Sequence, residues 1–245
     1  MRRLLNDMVR TLAPPRQDRH GPLPPLMLTL TLVTGLVDAV SYLALGHVFV
    51  ANMTGNVVFL GFALVGAADL SAVASVVALA AFLTGALAGG RLADRFATHR
   101  GKLLKAATAV QTVLVAVTVA AAAATDGQVT TAVRYTLIVF LGLAMGLQNA
   151  AARRLGVPDL TTTVLTLTLT GLAADSGRAG GEGPRPGRRI LSVLIMFLGA
   201  YAGAQLVLHD HLVLTLALIL LFLALTTMIT HRLSAAEPAW TRSPS

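Results

Sequence analysis

The sequence predicts an all-α protein, a polytopic membrane helix bundle with six spans, two short re-entrant or broken segments and an inverted 3+3 repeat. Three observations predict it. The chain is 55% hydrophobic and only 12% charged, against about 25% charged residues in a soluble domain. Its charges gather in short blocks between apolar runs, and about 20 apolar residues cross a hydrocarbon core of about 30 Å. The lysines and arginines also fall in alternate connections, as the positive-inside rule expects of a multi-span chain.

Residues 1–25 carry Arg2, Arg3, Arg10, Arg16 and Arg19 with five prolines and no continuous apolar run. They read as a cytoplasmic basic tail, largely disordered, with an amphipathic stretch over residues 3–12. No cleavable signal sequence is evident. The membrane domain follows over 26–232, and 233–245 form a second cytoplasmic tail. Apolar segments cover about 26–45, 48–68, 72–90, 103–124, 136–152, 160–174, 190–208 and 212–230.

If every segment crossed, the basic stretch Arg91, Arg95, Arg100, Lys102 and Lys105 would lie opposite the basic tail, against the positive-inside rule. The conflict vanishes if 48–68 and 160–174 do not cross. These two are also the polar ones. The first is interrupted by Asn52, Thr54, Gly55 and Asn56; the second carries Thr161, Thr162, Thr163, Thr166, Thr168 and Thr170. Six spans remain, with both termini on the cytoplasmic side of the inner membrane.

The halves, about 26–125 and 133–232, echo each other. Gly35-Leu36-Val37-Asp38-Ala39 aligns with Gly146-Leu147-Gln148-Asn149-Ala150. Gly85-Ala86-Leu87-Ala88-Gly89 aligns with Gly199-Ala200-Tyr201-Ala202-Gly203, and Met53-Thr54-Gly55-Asn56 stands opposite Leu165-Thr166-Leu167-Thr168. An odd number of crossings per half inverts the second half, a recurring plan of transporters and channels.

Asp38 is the one acidic residue well inside a span. A carboxylate there costs about 2.5–3.5 kcal/mol on insertion scales, so it faces the bundle interior or a wet cavity. It reads either as a proton, cation or substrate site or as a tie between helices. Asn52, Thr54, Gly55 and Asn56 read as a turn at that depth, whose carbonyls and amides either coordinate a solute or satisfy one another. Gln148 and Asn149 are the counterparts of Asp38, and Thr166 of Thr54. The remaining threonines of that segment bond back to their own helix. Gly85, Gly89, Gly199 and Gly203 form small-xxx-small packing faces.

The net charge of +8 flanks apolar runs rather than forming a face, and aromatics are sparse, so no nucleic-acid surface is expected. There are no cysteines, no P-loop, no HExxH and no GxSxG. No enzyme activity, metal or cofactor is expected. The expected partners are the lipid bilayer and a small solute or ion. Two function classes lead, a small-solute or ion transporter (a permease) and a non-transporting scaffold or accessory subunit, with an enzyme acting on lipid third. The residues leave substrate and oligomeric state open.

Thr34-Gly35-Leu36-Val37-Asp38-Ala39-Val40-Ser41-Tyr42 and His47-Val48-Phe49-Val50-Ala51-Asn52-Met53-Thr54-Gly55-Asn56 resemble the signature of the YoaK-like bacterial membrane proteins, a family of unknown function. The run from Met145 to Gly156 resembles the family's second signature. The resemblance covers about 26–230 and implies six spans and an inner-membrane location, without a substrate. Leu167 stands where the family pattern Thr-Thr-x-x-Thr-Gly has glycine.

Overall fold

Apolar runs longer than a bilayer core become long helices, because in lipid each backbone N–H and C=O must be satisfied within the helix itself. The computed structural model describes residues 2–15, 18–160, 162, 165–174, 186–236 and 238–242. In order, the helices are α1 (Arg2–Leu12), α2 (Leu23–Ala44), α3 (Met53–Leu64), α4 (Ala72–Arg95), α5 (Arg100–Ala123), α6 (Thr131–Leu155), α7 (Leu165–Ala174), α8 (Pro186–Leu208) and α9 (Leu212–Ser234). Among the described residues there is no strand, only an isolated bridge between His99 and Arg242.

Among the described residues six helices (α2, α4, α5, α6, α8 and α9) are long and apolar enough to cross a membrane. Their ends are set by local chemistry. Pro24 sits in the first turn of α2, where its missing N–H costs nothing. Ser71 and Thr130 accept the N–H groups of Ala74 and Val133 and so cap α4 and α6; the His99 ring accepts from Lys102 N and caps α5. Gly156 closes α6 at φ 57°, a left-handed conformation natural to glycine. Buried Thr31, Thr34 and Thr108 donate to carbonyls four residues back, so a hydroxyl inside a span is not by itself a pathway.

α3 and α7 do not cross. At 12 and 10 residues they reach about 18 and 15 Å, short of a bilayer core. Each is flanked by connections that meet. His47 Nδ1 lies 3.4 Å from the Asp69 carbonyl, so the chain enters and leaves the α3 segment at one end of the bundle. Arg189 Nε donates to Asp159 Oδ1 at 2.8 Å, and Arg188 Nη1 to Pro158 O at 3.3 Å, so α8 begins where α6 stops. The two segments return to opposite ends.

The ends differ in charge. At the α6 terminus Arg100 Nη2 donates to Leu155 O at 2.5 Å and lies 3.2 Å from His20 Nδ1. Arg188 N donates to Asp7 Oδ2 at 3.3 Å. Trp240, largely buried, stacks against Gly21 and Gly101, where any Cβ would meet its indole. Both chain ends therefore pack at this one end. At the other end Arg134 approaches Gly46, and Val213 approaches Gly127. Arg134 is the one lysine or arginine there among the described residues.

The amphipathic stretch expected over residues 3–12 is present as α1, and it is docked rather than disordered. Residues 2–12 are helical, with Thr11 buried and Asp7 tied to α8. Its polar and apolar residues are arranged to bury one face, and α8 supplies the partner. Residues 175–185, between α7 and α8, together with Thr161 and Thr163, lie outside the described residues.

α2 and α6 are the most buried spans. Gly35 of α2 packs on Ala200 of α8, and Gly146 of α6 on Ala86 of α4; in both cases an added Cβ would stand under 3 Å from the neighbouring backbone nitrogen. Gly85 and Gly199 return the contact, against the carbonyls of Leu143 and Leu32. Gly89 packs on Leu147 and Ala150, and Gly203 on Leu36 and Ala39. Without a hydrophobic drive between helices in lipid, such close backbone approach is the main source of association. Leu83, Leu87, Phe197, Leu198 and Leu221 point outward, as a lipid-facing surface requires.

Candidate site within the bundle

Because α3 and α7 stop short, they leave space beside α2, α4 and α6. A cavity of about 540 Å³ occupies it. Asp38, Asn52, Thr54, Gly55, Asn149 and Thr166 all line this space, from α2, the start of α3, α6 and the start of α7. Met53, Phe59, Phe82 and Met196 supply much of its apolar wall. Among the described residues no lysine, arginine or histidine lines it. Asp38 Oδ1 is buried and has no hydrogen-bond partner among the described residues.

A second cavity, about 670 Å³, adjoins the first. Phe82 and Asn149 belong to both. From there the second cavity runs along α6 past Ala152 and Arg153 to Gly156 and Val157, at the basic end. Asp38 stands six residues before the end of α2, about 9 Å from the opposite end at 1.5 Å per residue. The two spaces thus follow one another along the bundle, with the Phe82 ring and the Asn149 amide between them.

Two of the expected pathway residues lie elsewhere. Gln148 is buried in a network joining three spans: its Nε2 donates to Thr34 Oγ1 at 3.0 Å, and its Oε1 accepts from Gln111 Nε2 at 2.9 Å. Gln111 also donates to Ala144 O. Consecutive residues point about 100° apart on a helix, so Gln148 and its neighbour Asn149 cannot share a face. Asn56 is fully buried and pairs with the backbone of Phe49: Phe49 N donates to Asn56 Oδ1 at 2.9 Å, and Asn56 Nδ2 donates to Phe49 O. It fastens the extended strip before α3 to its first turn. Gly55 leaves room for the Phe49 ring, which stacks with Tyr42 and Phe59 at 5.2 and 5.9 Å between centroids.

The expected turn is also different in kind. Helix α3 begins at Met53, so Thr54, Gly55 and Asn56 form its first turn rather than a loop of exposed carbonyls. A helix start presents N–H groups and the positive end of the helix dipole. No side chain caps α3, in contrast with α4, α5 and α6. Leu165 and Thr166 place the start of α7 in the same cavity. Sequence reasoning missed Phe59, Phe82, Met53 and Met196, since an apolar residue in a span carries no sign of facing a cavity. Among the described residues no cluster of histidine, aspartate and glutamate suits a metal ion.

At the basic end a second polar cluster stands outside the spans. The His20 ring is buried between two guanidinium groups, with Arg19 Nε 3.0 Å from its Nε2 and Arg100 Nη2 3.2 Å from its Nδ1. Burial, reinforced by the charges of Arg100 and Arg19, lowers its pKa to about 4.

A family model described as a protein of unknown function (DUF1275) matches residues 26–229. The chain is 34% identical over 154 residues to the UPF0700 transmembrane protein YoaK of Bacillus subtilis (strain 168), covering 62% of this chain and 67% of that one. No solved structure matches.

Proposed function

The chain belongs to the DUF1275 family, and from that premise we propose that it is a permease for a small solute or ion, held in the bacterial inner membrane with both termini cytoplasmic. One observation carries the reading. Two cavities follow each other along the bundle, and only Phe82 and Asn149 are common to both. A scaffold needs its polar groups paired, as Gln148 is. A permease needs unpaired ones on a path, as Asp38 is. The lysine and arginine distribution supports the orientation.

We also propose that the halves form an inverted repeat. The reciprocal glycine contacts support it: α2 with α8 repeats, in the partners' order, what α6 does with α4. An experimental structure whose halves superpose through an axis in the membrane plane is the expected result; an axis along the membrane normal overturns it.

The test of transport is uptake of a panel of small radiolabelled solutes into liposomes containing the purified protein. At least one solute should enter faster than into protein-free liposomes, and Phe82→Trp, which thickens the shared wall, should slow it without lowering the melting temperature. Permeability equal to protein-free liposomes across the panel overturns the permease and favours the scaffold.

A further inference from the structure

The first cavity holds two kinds of unserved polar group, and they are opposite in sign. One is the Asp38 carboxyl, whose Oδ1 is buried without a partner among the described residues. The other is the start of α3, uncapped by any side chain; Leu165 and Thr166, the first two residues of α7, line the same cavity. A helix start carries roughly half a positive charge, concentrated in its first turn, and its N–H groups suit a carboxylate. Among the described residues no basic side chain lines the cavity, and there the backbone supplies the positive potential.

We propose that the cavity binds a small amino acid as its zwitterion, the ammonium on Asp38 and the carboxylate on the first turns of α3 and α7. This rests on the permease reading and names the solute class. The signs of charge decide against simpler ligands. Beside a bound ammonium Asp38 is ionised, and the partial positive charge of a helix start then answers it, so the site matches a ligand that carries both signs. A plain amine serves Asp38 and leaves the helix starts bare. A plain carboxylate does the reverse and meets Asp38 as a like charge. An alkali cation serves Asp38 but meets the positive helix starts as a like charge and leaves their N–H groups without an acceptor. The walls then select the side chain. Met53, Phe59, Phe82 and Met196 offer polarizable, aromatic surface to an apolar group. A volume of about 540 Å³ lies within the range of small-molecule sites, about 300–1,000 Å³.

The test is calorimetric binding to the full chain in lipid nanodiscs, using three compounds that share one body: phenylalanine, phenethylamine lacking the carboxylate, and 3-phenylpropanoate lacking the ammonium. Phenylalanine should bind at least about tenfold more tightly than either, the loss expected when one charged partner of a buried pair is removed. Asp38→Asn should weaken phenylalanine and phenethylamine and leave 3-phenylpropanoate unchanged or tighter. Asp38→Glu, which keeps the carboxylate, should restore most of the affinity and so separates charge from folding. Equal binding of all three, no binding of any, or full phenylalanine affinity in Asp38→Asn overturns the inference. The two readings fail separately. Uptake of some other solute without phenylalanine binding removes the zwitterion site and leaves the permease; phenylalanine binding without uptake of any solute removes the permease and leaves the site.

Discussion

Gly35 and Gly199 meet across the α2–α8 interface so closely that a Cβ on Gly199 would stand 3.3 Å from the Gly35 Cα. Across α4 and α6, Gly85 sits against the Leu143 carbonyl and Gly146 against the Phe82 carbonyl. Filling these seams should force the helices apart. Gly199→Leu and Gly85→Leu are expected to destabilise the protein by about 1–3 kcal/mol or more, read as a lower melting temperature in detergent. Gly90→Ala is the control. Nothing lies within 4 Å of its added Cβ, and alanine favours a helix over glycine by roughly 0.5–1 kcal/mol, so this variant should hold or gain stability.

Gln148 and Asn149 should separate stability from function. Gln148→Leu leaves Thr34 and Gln111 without their bonds to it, and a buried orphan costs about 1–3 kcal/mol. Its melting temperature should fall. Asn149→Leu removes an amide from both cavities and should change solute uptake with little loss of stability. A drop in melting temperature for Asn149→Leu equal to that of Gln148→Leu would contradict the division of roles.

Stability should depend on pH through His20. Its folded pKa is lowered from 6.5 to about 4, by burial first and by Arg100 and Arg19 next. Between those values the unfolded chain takes up a proton that the folded chain refuses. Its contribution is therefore complete above about pH 6.5 and is lost as pH falls toward 4. A melting curve taken at steps across that window should drop for the natural protein, and His20→Gln should flatten the slope. A neutral ring accepts at one nitrogen and a protonated ring at neither, which is why two guanidinium neighbours oppose the proton.

Sidedness can be read chemically, because the chain has no cysteine of its own. Thr98→Cys lies between α4 and α5 at the basic end, and Asp210→Cys between α8 and α9 at the other. Only the second should react with an impermeant thiol reagent in intact cells. Labelling of both from outside would contradict the cytoplasmic assignment of the basic end.

The six spans were legible because the bilayer imposes length and polarity on the sequence: charge blocks mark where 72–95 or 186–208 must end, whatever packs inside. The failure of 48–68 and 160–174 to cross was legible from charge alone. Finer features were not. Asn56 and Asn52 look alike as letters, yet one is a backbone clamp and the other faces the cavity. Which occurs depends on whether a helix starts at Met53, and an interrupted apolar run does not say where its helix begins. The amphipathic stretch of the tail was legible, but its docking was not, for a related reason. Its order comes from Asp7 meeting the first turn of α8, a contact between positions far apart in the chain.

Trp240 is the one tryptophan in the chain, and its ring is wedged between the turn at Gly21 and the start of α5 at Gly101. It is therefore a built-in optical gauge of the basic end. While the C-terminal tail is docked, the indole is shielded and its emission should be blue; on release it should shift red, with the spans still folded. Fluorescence thus follows the seating of the two tails on the bundle, and circular dichroism follows the bundle itself. Unlocking of the one before melting of the other would be seen as two transitions in a single sample.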